Sequence, residues 1–524
     1  MLNGLSSEKG TPMEVEPARS TVAVSRDLAL PLTAVLLHLI TNVITPYEIH
    51  RDEFLYAAMG QHLQLFRMDF PPLIAIIARW EHFLFGASMW GLRLAPALCH
   101  GALVLAAMRI ARRFGGGRSA ATLTGFAVLL SPLTLRSGSL FQPVVIDQLI
   151  WTLGYWLLVV IVTENRARPW YLLGMVVGVG LLAKFSIGFF AVGVAVALLL
   201  SPQWRAFLTP RPWVAATIAL ILGSPAVAGQ MALGWPVRGQ LRDLAATQLE
   251  QVTPGSFLVE QLLYGPMAWL GLAGLVALLV VPAWRRYRPL AVAVLVTALL
   301  LLVMHGKGYY LGPVWPTLAA AGAVWLEGIA RERRHWLMPA ATTVTAAFGV
   351  SVAIPLGLPV LPKAAMADYA RRVGVTSVVR TNRGEVAALP QDFADMLGWK
   401  DFVDEVTAVW DSLPPSDQAT AVLIGTNYGR AGALDWYGPA HGLPAAICAC
   451  GSYWFWGPGD RRGDVAVVAG GDSTKLAPIF EQIHRARTLD DPWRVGEEQH
   501  VVVWVARGWK VPLPDLWRRA AGSN

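Results

Sequence analysis

The stretch DLALPLTAVLLHLITNVITPYEIHRDEF, residues 27–54, joins a long apolar run to an adjacent acidic pair. An apolar run of about 20 residues is long enough to cross the hydrocarbon core of a bilayer as a helix. Residues 1–26 before it are polar and of mixed charge, without the compact basic start of a cleavable signal peptide. We therefore expect the run to remain as the first membrane helix, behind a cytoplasmic N-terminal tail.

The composition supports a chain that is largely embedded in lipid. Of the 524 residues, 55% are hydrophobic and only 15% are charged, and the mean hydropathy is +0.46. Soluble domains carry about 25% charged residues. The formal net charge of +8 comes from arginines clustered between apolar spans. This distribution is typical of cytoplasmic loops and argues against a nucleic-acid partner.

The apolar runs predict a polytopic α-helical membrane protein with about eleven transmembrane helices. The predicted spans are residues 27–46, 91–110, 119–135, 143–162, 170–184, 185–201, 212–232, 262–282, 289–304, 310–329 and 336–356. With the N-terminus in the cytoplasm, every second loop is rich in arginine, as the positive-inside rule requires. Residues 46–90, 136–142, 233–261, 305–309 and the tail from residue 357 then lie on the outer side of the membrane.

Two outer segments differ from simple loops. Residues 46–90 contain apolar stretches that are too short to span, and we expect them to lie along the membrane surface as amphipathic helices. Residues 357–524 regain charged residues, glycines and turn signals, with strand-like runs TAVLIG, DVAVVAGG and HVVVWVARG and the helix-like stretch LPQDFADMLGWKDFVDEVTAVWDSL. This pattern predicts a soluble extracytoplasmic α/β domain. The run GVTSVVR is a further strand candidate.

Three cysteines are too few for a disulfide framework. Cys99 falls in an apolar span, whereas Cys448 and Cys450 form a C-x-C pair in the tail. A disulfide across one intervening residue is strained, and two thiolates alone do not complete a zinc site. We therefore expect small buried thiols.

The acidic pair Asp52 and Glu53 is the first candidate catalytic site. It opens a helix at the outer end of the first span, where one carboxylate can enter a cavity while the other caps the helix. A carboxylate placed in this way can take the proton of an acceptor hydroxyl as a general base. A helix cap that faces water explains the same pattern equally well.

Several further residues are candidates for binding substrate. Asp147 lies inside an otherwise apolar span, where an ionisable group is costly and indicates function unless it reaches water at the helix end. The outer loop HGKGYYL, which starts at residue 305, offers Lys307 for a phosphate and Tyr309 and Tyr310 as hydrogen-bond donors. The alternative for this loop is an ordinary belt of interfacial aromatic residues with an anchoring lysine. Lys184 and Arg51 are weaker candidates of the same kind.

Soluble-enzyme motifs are absent from the sequence. We find no phosphate-binding P-loop, no dinucleotide fingerprint and no zinc-protease motif. The histidines near the first outer loop have no metal-ligand spacing. We therefore predict no defined cofactor, and the need for a divalent metal is left open.

Taken together, several motifs resemble one enzyme family. They are RDEFLYAA from residue 51, FPPL at 70–73, the membrane aspartate Asp147, GLLAK at 180–184 and HGKGYYLGPVWP at 305–316. This ordered set resembles the bacterial branch of the protein O-mannosyltransferase and lipid A aminoarabinose transferase group, within the GT-C glycosyltransferases. The tail motifs TNYGRAGALDWYGP and SYWFWGP resemble those of uncharacterised bacterial members. Arg430 and the CACG run depart from that tail pattern, and no lysine near residues 70–72 matches the aminoarabinose transferases.

The resemblance implies a polyprenyl-phosphate sugar donor, a catalytic carboxylate at Asp52 and an inverting transfer to an acceptor hydroxyl. It also implies a cytoplasmic-membrane enzyme whose lipid, glycan or protein acceptor is not defined by the sequence. A membrane transporter or lipid flippase with an accessory domain is the main alternative, because membrane-embedded Asp147 also suits a substrate pathway.

Overall fold

The computed structural model describes residues 27–374, 381, 384, 386–461 and 463–520. Helices dominate up to residue 373, and the strands lie in the last hundred residues. The predicted N-terminal tail and most of the strand candidate GVTSVVR fall outside the described residues.

Helices occupy the position of every predicted span. The apolar helices are Ala29–Ile44, Leu94–Arg113, Arg118–Leu129, Pro143–Thr163, Arg168–Ala183, Ile187–Leu199, Pro210–Ala232, Pro266–Val280, Arg288–Val303, Trp315–Arg333 and Leu337–Phe348. The last is continued by the π-helical turn Gly349–Ala353 and the short α-helix Ile354–Gly357. Shorter helices connect them at Arg51–Gln61, Leu73–Phe85, Met89–Leu92, Pro132–Gly138, Pro236–Thr247 and Pro254–Leu262. Single 3-10 turns lie at Pro202–Leu208, Leu249–Gln251, Pro282–Tyr287 and Gly308–Val314.

The number of helices that could cross a bilayer can be counted from their length and composition alone. Five of the described helices are long and apolar enough, and two bent helix pairs raise the number to seven if each counts as one span. Other helices at the predicted spans, such as Ala29–Ile44 and Arg168–Ala183, are apolar but shorter. A polytopic helical membrane fold is therefore confirmed, and the number of eleven crossings stays a prediction.

The first outer loop differs in part from its prediction. The helix Leu73–Phe85 leaves Trp80, Phe83 and Leu84 exposed, as expected for a helix against lipid. The helix Arg51–Gln61, by contrast, is mostly buried and packs between Leu73–Phe85 and the tail helix Tyr428–Tyr437. It is held by protein on both sides because the tail covers it, a contact that the hydrophobic pattern does not reveal.

The C-terminal part forms helices around a four-stranded mixed sheet. Strands β1 (Val422–Gly425), β2 (Val465–Ala469), β3 (Phe480–Asp490) and β4 (His500–Trp509) lie in the order β1-β2-β4-β3. Strands β1 and β2 are parallel and the other pairs antiparallel. The three predicted strand runs are confirmed as β1, β2 and β4, and β3 was not predicted. The helices of this part are Lys363–Val373, Gln391–Ala394, Trp399–Asp411, Pro415–Thr420, Tyr428–Tyr437, Gly451–Trp456, Ser473–Leu476 and Leu513–Arg519, with 3-10 turns at Gly438–His441 and Gly496–Glu498.

Cys448 and Cys450 are joined by a disulfide, so the expectation of free thiols is wrong for this pair. The bridge lies just before the short helix Gly451–Trp456. Cys99 is a free thiol in the helix Leu94–Arg113.

A buried ion pair fixes the start of the helix Arg51–Gln61. Glu53 and Arg93 are both fully buried, with Arg93 Nε 2.9 Å from Glu53 Oε1 and Arg93 Nη2 2.7 Å from Oε2. The same carboxylate accepts the backbone N–H groups of His50 at 2.8 Å and Phe141 at 2.7 Å. Glu53 thus completes a capping box with His50 and ties three segments together.

The tail docks on the residues just before this helix. Glu48 accepts the backbone N–H groups of Trp399 at 2.8 Å and Lys400 at 3.0 Å, at the start of the helix Trp399–Asp411. A carboxylate at a helix N-terminus is stabilising because it meets unpaired N–H groups and the positive end of the helix dipole. Gly432 allows close approach, since a Cβ there would lie 2.6 Å from the Cβ of Phe54.

Replacing Arg93 with Met should strongly destabilise the protein. The substitution leaves the Glu53 carboxylate buried without its cation, which costs about 3–5 kcal/mol. Thermal unfolding of the purified protein in detergent measures the effect. The matched control is Arg113→Met, because Arg113 is 42% exposed in its ion pair with Glu164 and such surface pairs contribute under about 1 kcal/mol. Equal unfolding temperatures for the two variants would contradict this role of the pair.

Candidate active site

A polar cavity of about 640 Å³ lies where the first outer loop, the 305–310 loop and the tail meet. Its lining residues include His50, Arg51, Asp52, Gln248, Lys307, Tyr309, Tyr310, Thr381, Gln391, Asp392, Asp395, Tyr428 and Glu497. Five of the predicted site residues, Arg51, Asp52, Lys307, Tyr309 and Tyr310, are therefore brought together across some 250 residues of sequence.

Asp52 faces this cavity from the first turn of its helix. Its Oδ1 accepts a hydrogen bond from the Tyr428 hydroxyl at 2.9 Å, and its Oδ2 accepts one from Gln142 Nε2 at 3.2 Å. Each oxygen of a carboxylate has a second lone pair, so both partners can orient Asp52 while it still accepts a proton. The position and exposure of Asp52 fit a general base.

Glu53 occupies a different environment from its neighbour. It is fully buried, its oxygens bind Arg93 and two backbone N–H groups, and it is not among the residues that line the cavity. Burial raises the pKa of Glu53, and the Arg93 guanidinium outweighs this and lowers it. The geometry gives Glu53 the capping role that the sequence offered as an alternative, and it does not support contact with substrate.

Lys307 also lines the cavity. Its ammonium donates to the Gln248 side chain, and burial lowers the pKa of Lys307 while nearby Asp52 counteracts that effect. Two hydrogen bonds fix the loop that carries Lys307. Gln261 Nε2 donates to the Gly308 carbonyl at 3.0 Å, and Trp315 Nε1 donates to Gln261 Oε1 at 2.9 Å. The result is a cation in a fixed position near the candidate base.

Lys184 makes cation–π contacts with Tyr309 and Tyr310, which follow Lys307 in the same loop. The Lys184 ammonium lies 5.0 Å from the ring centre of Tyr309 and 4.7 Å from that of Tyr310. Cations at this distance over an aromatic face are attracted by its electron density. Lys184 thus supports the wall of the cavity through the tyrosines and is not itself among the lining residues.

Asp147 lies in the membrane helix Pro143–Thr163, apart from the cavity. One of its oxygens accepts from Trp151 Nε1 at 2.9 Å and the other from Ser186 Oγ at 2.8 Å. The Trp151 bond lies within this helix, and the Ser186 bond links the helix to the turn that carries Lys184. Asp147 is outside the cavity lining, so the predicted contact with substrate has no support from its position.

Arg51 connects the cavity to the tail. Its guanidinium pairs with Glu497 at 2.6 Å and lies 4.7 Å from the ring centre of Tyr428. Arg430, the departure from the tail pattern, is buried below this point and binds Glu498 at 2.9 Å. Arg430 therefore holds the turn that presents Glu497.

Sequence analysis missed His50 and the contribution of the tail to this cavity. His50 and the tail residues Asp392, Asp395 and Tyr428 all line it. Tyr428 belongs to the quoted motif TNYGR and the two aspartates to LPQDFAD, so both motifs were visible, but their contact with residues near Asp52 was not. Among the described residues, no group of three or more His, Cys, Asp or Glu side chains has a geometry that could hold a metal ion.

Comparison with known proteins finds one family model and several solved structures that are similar to this chain. Residues 69–228 match the family model described as dolichyl-phosphate-mannose-protein mannosyltransferase. No curated protein matches the chain by sequence. Among solved structures, ArnT from Cupriavidus metallidurans, bound to undecaprenyl phosphate and in the apo state, matches with a TM-score of 0.58 and 16% identity, covering 93% of this chain and 98% of ArnT.

A further match is the Archaeoglobus fulgidus oligosaccharyltransferase, in a complex with Zn and sulfate, with a TM-score of 0.49 and 13% identity over 84% of this chain and 68% of that one. The ArnT similarity extends over nearly the whole of both chains, so it includes the tail as well as the membrane part. The family model thus covers residues 69–228, and the ArnT match shows a similar fold over nearly the whole chain.

Proposed function

We propose that this enzyme transfers a sugar, with inversion, from a polyprenyl-phosphate donor to an acceptor hydroxyl on the outer side of the cytoplasmic membrane. The observation that carries the proposal is the single cavity that holds the Asp52 carboxylate and the Lys307 ammonium. ArnT, the structure of similar fold, was solved bound to undecaprenyl phosphate, which supports a donor of this class.

The chemistry needs one base and one anion site. The acceptor hydroxyl gives its proton to Asp52 and its oxygen attacks the anomeric carbon. The bond from that carbon to the phosphate oxygen breaks from the opposite face, and polyprenyl phosphate leaves with the bonding electron pair. A phosphate leaves without a general acid, but its developing charge needs a cation in a site sheltered from water.

Lys307 is the residue we assign to that phosphate. It lies in the outer loop that follows the apolar helix Arg288–Val303, so a phosphate at the membrane surface can approach it. Tyr309 and Tyr310 add hydroxyl donors in the same wall. Arg51 is less available because it is already paired with Glu497.

The side of the membrane is supported by two independent features. Arginine-rich loops alternate with outer loops along the sequence, with the N-terminus in the cytoplasm. The Cys448–Cys450 disulfide lies in the tail, and disulfides persist mainly in oxidising compartments outside the cytosol. We therefore propose that residues 357–524 form an extracytoplasmic domain that closes the cavity over the donor.

The Asp52→Asn variant should lose transfer activity while remaining folded. An amide of the same shape cannot take the acceptor proton, and general-base catalysis contributes about 10²- to 10⁴-fold to rate. The assay incubates purified protein with radiolabelled polyprenyl-phosphate sugars and membrane extract. The control is Asp411→Asn, an exposed carboxylate of the tail, which should retain full activity. Equal turnover by wild type and Asp52→Asn would remove Asp52 from the mechanism.

The Lys307→Met variant should weaken donor binding more than acceptor binding. Methionine keeps most of the apolar length but removes the charge that meets the phosphate, and we expect at least about a tenfold rise in donor Kd, equivalent to 1.4 kcal/mol. Binding of polyprenyl phosphate to the purified protein measures this directly. Lys475→Met, at an exposed position, is the matched control. An unchanged donor Kd for Lys307→Met would rule out the phosphate role.

A further inference from the structure

Among the described residues that line the cavity, three carry a buried side-chain atom with no hydrogen-bond partner. One is Nε of Arg51, whose guanidinium is already paired with Glu497. The other two are Nε2 of His50 and Oδ1 of Asp395, and both of these residues are at least 96% buried. Nε2 lies 3.8 Å from Asp392 Oδ1 and 3.8 Å from Asp395 Oδ2, which is beyond hydrogen-bond length. Buried polar atoms are nearly always paired, so two such atoms in a cavity wall indicate a ligand.

Both residues are fixed in place by their other contacts. The His50 Nδ1 accepts the backbone N–H of Asp52 at 3.0 Å. The Asp395 carbonyl accepts the N–H of Arg51 at 3.1 Å and Trp399 Nε1 at 2.8 Å, while Asp395 Oδ2 accepts Gln391 Nε2 at 3.2 Å. Neither side chain can turn away to find a partner without breaking these bonds.

The neighbouring acids of this wall are already neutralised. Asp392 pairs with Arg136, and Glu497 pairs with Arg51. Burial raises the pKa of Asp392, and the Arg136 guanidinium outweighs this and lowers it. Asp395 differs because burial raises its pKa to about 6, so it is mainly ionised at neutral pH with one oxygen unpaired.

His50 presents a donor in either protonation state. Burial lowers its pKa, but Asp392, Asp52 and Asp395 raise it to about 9 on balance, which favours the doubly protonated ring. The hydrogen bond from the Asp52 N–H instead needs an unprotonated Nδ1. The doubly protonated ring and this neutral tautomer both carry a proton on Nε2.

We infer that His50 Nε2–H and Asp395 Oδ1 together bind one hydroxyl group of the transferred sugar. A hydroxyl accepts from the imidazole and donates to the carboxylate at the same time, so it satisfies both atoms. An ammonium has no lone pair for Nε2–H, and an anion would face the Asp395 carboxylate. The inference rests on the proposed function and extends it, because it gives the tail a direct part in choosing the sugar.

The position of this pair suits the sugar of the donor. His50 and Asp52 lie two residues apart at the start of one helix, and Lys307 lines the same cavity. A donor whose phosphate meets Lys307 and whose anomeric carbon lies near Asp52 must place its ring within this cavity. A water molecule can occupy the hydroxyl position until the donor binds.

The test measures binding of donor analogues, which needs no acceptor. Full-length protein in nanodiscs is titrated with short-chain prenyl-phosphate mannose, glucose and galactose, and the best of these is then compared with its monodeoxy and monoamino analogues. For the wild type, loss of one particular hydroxyl should weaken binding about 10- to 100-fold, since a charge-assisted hydrogen bond is lost. For Asp395→Ala, the same analogue and its parent sugar should bind equally.

Two further variants allow the inference to be tested even if Asp395→Ala folds poorly. Asp395→Asn keeps an acceptor oxygen and should retain part of the discrimination between parent and deoxy sugar. Asp411→Ala removes an exposed carboxylate from the same part of the chain and should retain all of it.

Three outcomes would overturn the inference. If no deoxy position distinguishes wild type from Asp395→Ala, the pair does not bind a donor hydroxyl. If an amino group at the sensitive position binds more tightly than the hydroxyl, the hydroxyl assignment is wrong. If none of the prenyl-phosphate sugars binds the wild type, the proposed function itself fails, which separates that result from the first two.

Discussion

The buried ion pair between Glu53 and Arg93 is the contact on which the active site depends. It lies at the point where the first outer loop, the helix Leu94–Arg113 and the chain near Phe141 meet. Burying two charges is costly unless hydrogen bonds compensate for the lost water. Glu53 accepts four hydrogen bonds, although Nη1 of Arg93 has no hydrogen-bond partner. Asp52 directly precedes Glu53 in the sequence. This hydrogen-bond network therefore sets the direction in which the candidate base Asp52 points.

The tail forms the part of the cavity wall that the membrane helices and their loops leave open. Glu48 caps a tail helix, Tyr428 donates to Asp52, and Asp395 lies against His50. These contacts make the tail a wall of the cavity, in addition to a domain attached to it. A lid that shelters the site from water strengthens the electrostatic interactions that stabilise a leaving phosphate. The family match over residues 69–228 and the fold shared with ArnT favour the proposed sugar transfer over the transporter alternative.

Much of this could be predicted from sequence because the signals were local. Apolar runs gave the helices, and the alternation of basic loops put Asp52 and Lys307 on one side of the bilayer. Two predicted site residues that lie outside the cavity lining also have local signals for the contacts they make. Trp151 lies four residues after Asp147, where it can satisfy the aspartate from the same helix face, and Glu53 lies three residues after the helix cap, where a capping box places its acid.

Contacts between distant segments could not be predicted in this way. Asp395 and Tyr428 reach the first outer loop across more than 300 residues, and no periodicity encodes such a meeting. The strand β3 was missed because it is a polar edge strand, paired with β4 on one side only. The disulfide between Cys448 and Cys450 was missed because only one residue separates the two cysteines, and a bridge over so short a distance is expected to be strained. The folded backbone nevertheless permits it.

The most direct measurement is photolabelling by a prenyl-phosphate sugar that carries a diazirine on its sugar ring, followed by mass spectrometry of the labelled peptides. The account predicts label in the peptide that contains Asp52 and also in tail peptides that contain Asp395 or Tyr428. Label confined to the membrane helices, with none in the tail, would contradict a cavity built by all three segments.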